Sequence, residues 1–167
     1  DFRYDKVNIP GRVVSIEYDP NRTSFIALLQ YRDGEKRYVL APRGLKIGAE
    51  VIASEDAPIE SGNRLPLGKI PVGASVYNIE LERGRGAAIA RAAGAGATVL
   101  AHEGAYTHVQ LPSKEVRKIL SMNWASLGAL SNEEHEFMVV GNAGRARRRG
   151  VRPTVRGSAM NQVFSII

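Results

Sequence analysis

The residues best suited to chemistry in this sequence are arginines near its end. Six arginines and no acidic residue lie in residues 137–167, and they are Arg145, Arg147, Arg148, Arg149, Arg152 and Arg156. Residues 1–136 hold equal numbers of basic and acidic residues, so the net charge of +6 comes from this last segment. A guanidinium grips phosphate through two donors and stacks on bases. The use of Arg rather than Lys therefore favours a nucleic-acid partner, with a merely solvated or artificially added tail as the alternative.

Three more arginines are spaced through a strip of small residues. Residues 82–97 read ERGRGAAIARAAGAGA and contain Arg83, Arg85 and Arg91. Glycines oppose a helix, and the little side-chain bulk between the arginines would let an RNA backbone approach closely. Alanines favour helix, so a short helix capped by glycines is the alternative. The two interpretations are compatible, because a single helical turn could still present Arg91.

Signatures of enzymes and metal sites are weak. Cysteine is absent, which excludes disulfides, thiolate zinc sites and cysteine catalysis. The glycines at 84–86 and 94–96 lack the third glycine of a dinucleotide-binding fingerprint. Residues 133–136 (EEHE) lack the second histidine of a zinc-protease helix, which favours a solvated acidic turn. His102 and His108 lie on strand-like segments and are expected to be structural or surface residues. We predict no catalytic residue, no metal, no cofactor and no enzymatic activity.

The elements that must position the arginines are mostly strands. Apolar and polar residues alternate with a period of two, as in GRVVSIEY at 11–18, which is typical of half-buried strands. The predicted strands are 11–18, 24–31, 36–41, 50–54, 74–81, 98–101, 107–111 and 115–121. Turn-forming residues at 19–22 and an Asp-Gly pair at 33–34 separate the first three. Short strands at this spacing predict a mainly β fold of small sandwiches or barrels.

Composition divides the chain into three parts. Residues 55–73 are dense in Gly and Pro, which predicts an irregular connection and a domain boundary. We therefore expect domains at 1–62 and 63–140, followed by an irregular, basic tail at 141–167. The tail has no apolar periodicity and should order only against a partner. There is no apolar run long enough for a transmembrane helix and no visible signal segment. The chain begins at Asp1, and we expect it to be a trimmed or processed piece.

Several strings together resemble one family. They are EYDPNR at 17–22, DGEKRYVLAP at 33–42, IPVG at 70–73, NIEL at 78–81, RAAG at 91–94 and GNAGRARRRGVRPTVRGSAMN at 141–161. Over residues 1 to 161 the chain resembles the bacterial-type large-subunit ribosomal protein L-two. The resemblance implies an OB-like barrel followed by an SH3-like barrel. It also implies a structural protein that binds large-subunit ribosomal RNA and supports subunit association and the peptidyl-transferase region.

The resemblance extends to single residues and to partners. Arg22 and Arg91 match positions that the family uses for RNA contact, and the tail from Arg145 to Arg156 matches a segment that enters RNA. The implied partners are large-subunit ribosomal RNA and neighbouring ribosomal proteins, with no membrane and no small-molecule substrate. The implied location is the ribosome, in a bacterial cytoplasm or an organelle matrix.

Some residues depart from the family pattern. Arg148 stands where the family usually has Trp. Residues 162–167 (QVFSII) replace a Pro followed by a His- and Gly-rich loop, so no catalytic role is carried over from that loop. This end could be a natural split, a truncation or a sequence artefact. The alternative function is a free-standing OB-like or SH3-like module that binds RNA or protein ligands, although aromatic residues scattered through the strands favour core packing. An enzyme of unrecognised geometry is a further alternative.

Overall fold

Most of the regular structure in the described residues is β-strand, which confirms the predicted mainly β class. The structure is a computed structural model, and it describes residue 2 and residues 4–159. The strands are β1 (Gly11–Glu17), β2 (Ile26–Tyr31), β3 (Lys36–Leu40), β4 (Glu50–Val51), β5 (Arg64–Pro66), β6 (Ser75–Tyr77), β7 (Ile79–Glu80), β8 (Ala87–Ile89), β9 (Ala97–Glu103), β10 (Tyr106–Gln110), β11 (Val116–Leu120) and β12 (Trp124–Leu127). One α-helix, α1 (Ala143–Arg148), and short 3-10 turns complete the regular structure of the described residues.

The first four strands form one antiparallel sheet in the order β3-β2-β1-β4. Alternation along β1 buries Val13 and exposes its neighbours Arg12 and Val14. A β-bulge between Val13 and Ser15 bends β1, so the sheet curls into a half-barrel. Gly34, at φ +83°, makes the turn between β2 and β3 that its Asp-Gly pair predicts. The curled sheet surrounds a core of Val13, Ala27, Leu29, Val39, Ala41 and Val51.

The later strands form a six-stranded sheet in the order β11-β10-β9-β6-β12-β5. Its core is the largest in the chain's described part and includes Leu65, Leu67, Ile70, Val76, Val99, Val109, Ile119 and Leu127. Strands β7 and β8 form a separate two-stranded ribbon, with Ile79 opposite Ile89 and Glu80 opposite Ala87. Strand β8 lies within the strip at 82–97, which carries three of the predicted RNA-binding arginines, and β7 directly precedes that strip.

The two sheets belong to one compact unit, residues 1–136. A third apolar cluster joins them, with Ile26 and Leu40 from the first sheet and Tyr77 and Leu130 from the second part. The Tyr77 hydroxyl donates to the Leu40 carbonyl at 3.4 Å. These contacts hold the start of β2 and the end of β3 close to β6, which matters because the predicted RNA-binding residues lie on either side of this junction.

The segment predicted to be an irregular connection contains a strand. Within residues 55–73, β5 is buried and pairs with β12, and a 3-10 turn follows at Leu67–Lys69. A strand of three residues is too short to show alternation, and the Pro66 that ends it opposes a strand prediction. The predicted domain bounds, 1–62 and 63–140, stay a prediction. No helix forms in residues 82–97, so of the two interpretations of that strip the structure has the looped and extended one.

The chain from residue 137 onward forms a second compact unit. The prediction that the tail is irregular throughout is wrong for Ala143–Arg148, which form α1, a helix of about one and a half turns. The Asn142 side chain caps this helix by accepting from the Arg145 backbone N–H at 2.9 Å, and Ala and Arg are good helix formers. Residues 162–167, predicted to depart from the family, lie outside the described residues. Across the described part of the chain, no helix is long and apolar enough to cross a membrane.

Candidate nucleic-acid interface

Arg22 lies in a tight turn directly after β1. Asp19 organises this turn by accepting from the Asn21 backbone N–H at 2.9 Å and from the Arg22 Nε at 2.6 Å. These contacts lower the pKa of Asp19, the bond from the Asn21 N–H having the largest effect and Arg22 adding to it. The Asp19 carboxylate is thus ionised at neutral pH, and it holds the Arg22 guanidinium in one orientation.

Arg91 lies in the Gly/Ala-rich strip, just after β8. It follows Ala90, which has a left-handed backbone (φ +53°), and its Nη1 donates to the Ala87 carbonyl at 3.1 Å. Its Nε is buried and has no hydrogen-bond partner among the described residues. The guanidinium is therefore held by its own strip at one end only.

Arg22 and Arg91 are far apart in sequence, and Thr23 brings them together. The Thr23 hydroxyl accepts from the Ala93 backbone N–H at 2.9 Å, which joins the turn to the strip two residues beyond Arg91. Asn132 then donates from its side chain to the Thr23 carbonyl at 2.6 Å. One direct hydrogen bond thus joins the turn to the strip, and Asn132 binds the turn from a third segment.

An aromatic ring lies against both arginines. The Arg22 guanidinium is centred 4.4 Å from the Phe2 ring centroid, and that of Arg91 is 5.7 Å away. Both distances are within the range of cation–π attraction. One ring thus lies within cation–π range of both arginines that the resemblance assigns to RNA contact.

The chain before β1 is fixed by a buried arginine. Arg64, on β5, lies 4.3 Å from the Tyr4 ring centroid and donates to the Asn78 carbonyl at 2.9 Å. The Tyr4 hydroxyl accepts from the Asn78 side-chain amide at 2.5 Å. Burial raises the pKa of Tyr4 and lowers that of Arg64. Arg64 and Asn78 thus hold Tyr4 in place, and Phe2, two residues before it, lies beside Arg22 and Arg91.

The paired arginines line a half-open cleft with a volume of about 370 Å³. Arg85 also lines it, so three of the sequence-predicted residues share this cleft. Its other walls come from the first sheet, the chain before it, the turn after β1 and the region of the ribbon, and they are Phe2, Tyr4, Asp19, Ile26, Tyr38, Asn78, Gly86 and Ala87. We refer to this feature below as the arginine cleft.

A buried carboxylate supports the loop that carries Arg83 and Arg85. Glu80 Oε1 accepts from the backbone N–H groups of Gly84 at 2.9 Å and Gly86 at 3.2 Å, and its Oε2 accepts from the Trp124 N–H at 3.2 Å. Both glycines have positive φ, which lets the loop fold back over the carboxylate. Arg85 is exposed and pairs with Glu82 at 2.9 Å. Arg83 lines a second, neighbouring cleft of about 660 Å³.

The six tail arginines lie in the second unit and are all exposed. Arg145, Arg147 and Arg148 are on α1, while Arg149, Arg152 and Arg156 follow it. Six guanidiniums with no acidic residue in their unit make a surface suited to polyanions.

Residues predicted to be structural are placed as such. His102 bonds to the Thr107 hydroxyl and the Ile70 carbonyl, and His108 pairs with Glu103 at the surface. Within the described residues, no group of three or more His, Cys, Asp or Glu side chains could hold a metal ion. Sequence reasoning missed Phe2 and Glu80 as parts of the site. For Phe2 a signal existed, since aromatic residues at positions 2 and 4 alternate as in a half-buried extended segment.

Two family models match the chain and together cover nearly all of it. The first, described as Ribosomal Proteins L2, RNA binding N-terminal domain, matches residues 1–53. The second, described as Ribosomal Proteins L2, C-terminal domain, matches residues 60–165. The arginine cleft draws on both matched regions, with Arg22 in the first and Arg91 in the second.

Proposed function

This chain belongs to the ribosomal protein L2 family, and on that premise we propose that its arginine cleft binds large-subunit ribosomal RNA. Members of this family are structural proteins of the large ribosomal subunit, and they carry an RNA-binding N-terminal domain. The curled four-stranded sheet and the six-stranded sheet correspond to the family's OB-like and SH3-like domains. The chain is thus a non-enzymatic, RNA-binding component of the ribosome.

The observation that carries the site proposal is the convergence of Arg22 and Arg91 on one ring. Two arginines 69 positions apart in the sequence contact Phe2 and line a single cleft with Arg85. A direct hydrogen bond between Thr23 and Ala93 joins the turn and the strip that carry them, and Asn132 holds the turn from a third segment. An arrangement held in this way before binding loses less entropy when RNA arrives. Its fixed spacing also suits recognition of a particular folded RNA.

The mechanism follows from the chemistry of the two basic surfaces. RNA helices are recognised mostly by shape, by phosphates and by 2′-hydroxyls, whereas unstacked bases allow stacking and hydrogen bonding. We infer that the rigid cleft supplies specificity for one RNA shape. The six tail arginines neutralise phosphates, which supplies affinity and salt dependence. The tail orders further as it enters the RNA.

The wider role that we propose follows from this binding. By holding large-subunit RNA and neighbouring ribosomal proteins together, the chain supports subunit association and the peptidyl-transferase region. The same assembly places it in ribosomes of a bacterial cytoplasm or an organelle matrix.

The direct test is a filter-binding titration of intact large-subunit ribosomal RNA with Arg22→Ala and Arg91→Ala. Each variant should lose about tenfold or more in affinity, since hydrogen bonds to charged groups contribute about 1.5–3 kcal/mol, while circular dichroism stays unchanged. The matched control is Arg32→Ala, an exposed arginine at the other end of β2. Wild-type affinity in both cleft variants would show that the cleft does not bind the RNA.

A further inference from the structure

The arginine cleft is lined by more than cations. Phe2 and Tyr38 contribute aromatic rings, and the side chain of Ile26, at the start of β2, is buried. Gly86 and Ala87 have little or no side chain, which leaves the space open. Its volume of about 370 Å³ lies within the range of roughly 300–1,000 Å³ that is typical of sites for small organic groups.

The charges in the cleft are mixed, which bears on what it can hold. The ionised Asp19 carboxylate lines the cleft beside Arg22, and the Asn78 amide lines it too. Asp19 offsets part of the positive charge of the three arginines, which weakens the attraction of the cleft for a phosphate. A neutral nucleobase loses nothing by this, because it offers N–H donors to the carboxylate, ring and carbonyl acceptors to the arginines, and two π-faces to the aromatic ring.

Resting on the function proposed above, we propose that the arginine cleft takes one unpaired nucleobase of the bound RNA. The base continues the stack that Phe2 forms with Arg22, and stacking of bases on aromatic rings and guanidiniums is a general mode of single-strand recognition. The sugar and phosphates of that nucleotide remain outside, where the exposed Arg85 meets them. The cleft therefore selects RNA that presents an extruded base at this point.

The structure offers a variant that fills the cleft without removing a charge. Ala87 on β8 lines the cleft, so the phenyl ring of Ala87→Phe would occupy the part of the cleft that the base is proposed to fill. Ala88, its neighbour on the same strand, is exposed and is absent from the cleft wall, so Ala88→Phe is the matched control. All arginines are kept in both variants. Ala87→Leu serves as a smaller replacement if near-ultraviolet circular dichroism shows that Ala87→Phe disturbs the fold.

The experiment combines affinity with chemical probing of unpaired bases in intact large-subunit ribosomal RNA, using dimethyl sulfate and kethoxal. With the wild-type chain, at least one unpaired base should become protected. Ala87→Phe should lose about tenfold in affinity and leave that base reactive, and Ala88→Phe should do neither. Wild-type affinity and protection in Ala87→Phe, or no protected unpaired base with the wild-type chain, would overturn the inference. If Arg22→Ala and Arg91→Ala lose binding in that case, the proposed function still stands. If they do not, the proposed function itself fails.

Discussion

Asp19 determines how Arg22 is presented, although it carries the charge opposite to that of the site. Its two carboxylate oxygens accept from the Asn21 N–H and the Arg22 Nε. The turn and the orientation of the arginine thus depend on one ionised group. The pKa of Asp19 lies below its ordinary value of 3.8, chiefly because of the Asn21 N–H bond.

This geometry predicts a pH-dependent difference between the wild-type chain and Asp19→Asn. A group whose pKa is lower in the fold stabilises the fold above its ordinary pKa, and loses this effect as the pH falls through the folded value. At pH 6, Asp19→Asn should be less stable by about 1 kcal/mol, and the difference should shrink as the pH falls below 3.8 through the lowered pKa of Asp19. Urea unfolding at several pH values measures it.

The control for that prediction is Asp56→Asn. Asp56 pairs with Lys69 at 2.9 Å, and its side chain is 90% exposed, so the pair contributes little to stability. A difference between the wild-type chain and Asp19→Asn that stays constant from pH 6 to pH 2 would contradict the assignment of the effect to ionisation.

The sequence predicts some residues of the site and not others, for a physical reason. Arg91 is recognisable because a Gly/Ala-rich strip presents its side chain locally, whereas Arg22 is identified by the family resemblance and lies in a predicted turn. Phe2 and Asn78 join the site only through contacts across the fold, with Arg22 and with Tyr4. Nothing in the residues around Asn78 indicates such a contact, so it could not be found before the fold was known.

At the scale of elements, the loop at 81–86 depends on the buried Glu80. Three backbone N–H groups converge on this carboxylate, and it lies on β7 where the ribbon begins. A carboxylate suits this position because both oxygens accept and neither donates. The loop then projects Arg83 and Arg85 towards the two clefts.

We expect Glu80→Gln to weaken RNA binding, although residue 80 itself does not contact the RNA. The amide offers one acceptor oxygen instead of two, so the Trp124 N–H or the two glycine N–H groups lose their partner. Stability should fall by about 1–3 kcal/mol, and affinity for large-subunit ribosomal RNA by about fivefold, which is close to 1 kcal/mol. Thermal unfolding and filter binding report the two effects.

A double-mutant cycle separates positioning from general damage. In a chain that already carries Arg83→Ala and Arg85→Ala, Glu80→Gln should cost no further affinity. An undiminished loss in that background would show that Glu80 does not act through these arginines.

Elements differ in how well the sequence predicts them. The strands β1, β2 and β3 are long enough for alternation to appear, and their predicted ranges agree with the structure to within about two residues. The strands β5, β8 and β12 have only three or four residues, too few to show alternation, and β5 and β12 pair with each other across about 60 residues of sequence. The helix α1 was missed because the glycines and the arginine run masked an Asn cap followed by good helix formers.

At the scale of the whole molecule, charge and folding are divided between two units. The unit at 1–136 has balanced charge and holds the three apolar cores found among the described residues, while the unit from 137 onward holds six arginines and no acidic residue. This division predicts that folding and non-specific affinity can be changed separately.

Replacing all six tail arginines by serine should therefore leave the unfolding transition of the β-sheet unit unchanged and reduce the salt dependence of binding. The slope of log K against log salt should decrease in magnitude by up to about 4, at about 0.7 per lost phosphate contact. Titrations across salt concentrations measure it. An unchanged slope would mean that the tail does not contact phosphates.

We propose that the arginine cleft supplies specificity and the tail supplies affinity. The measurement that tests it most directly compares binding to large-subunit ribosomal RNA and to transfer RNA, for the wild-type chain, Arg22→Ala/Arg91→Ala and the six-serine variant. We predict that the cleft variant loses the preference for ribosomal RNA, while the tail variant weakens both RNAs by a similar factor and keeps the preference. A preference that survives in the cleft variant and disappears with the tail arginines would contradict the claim.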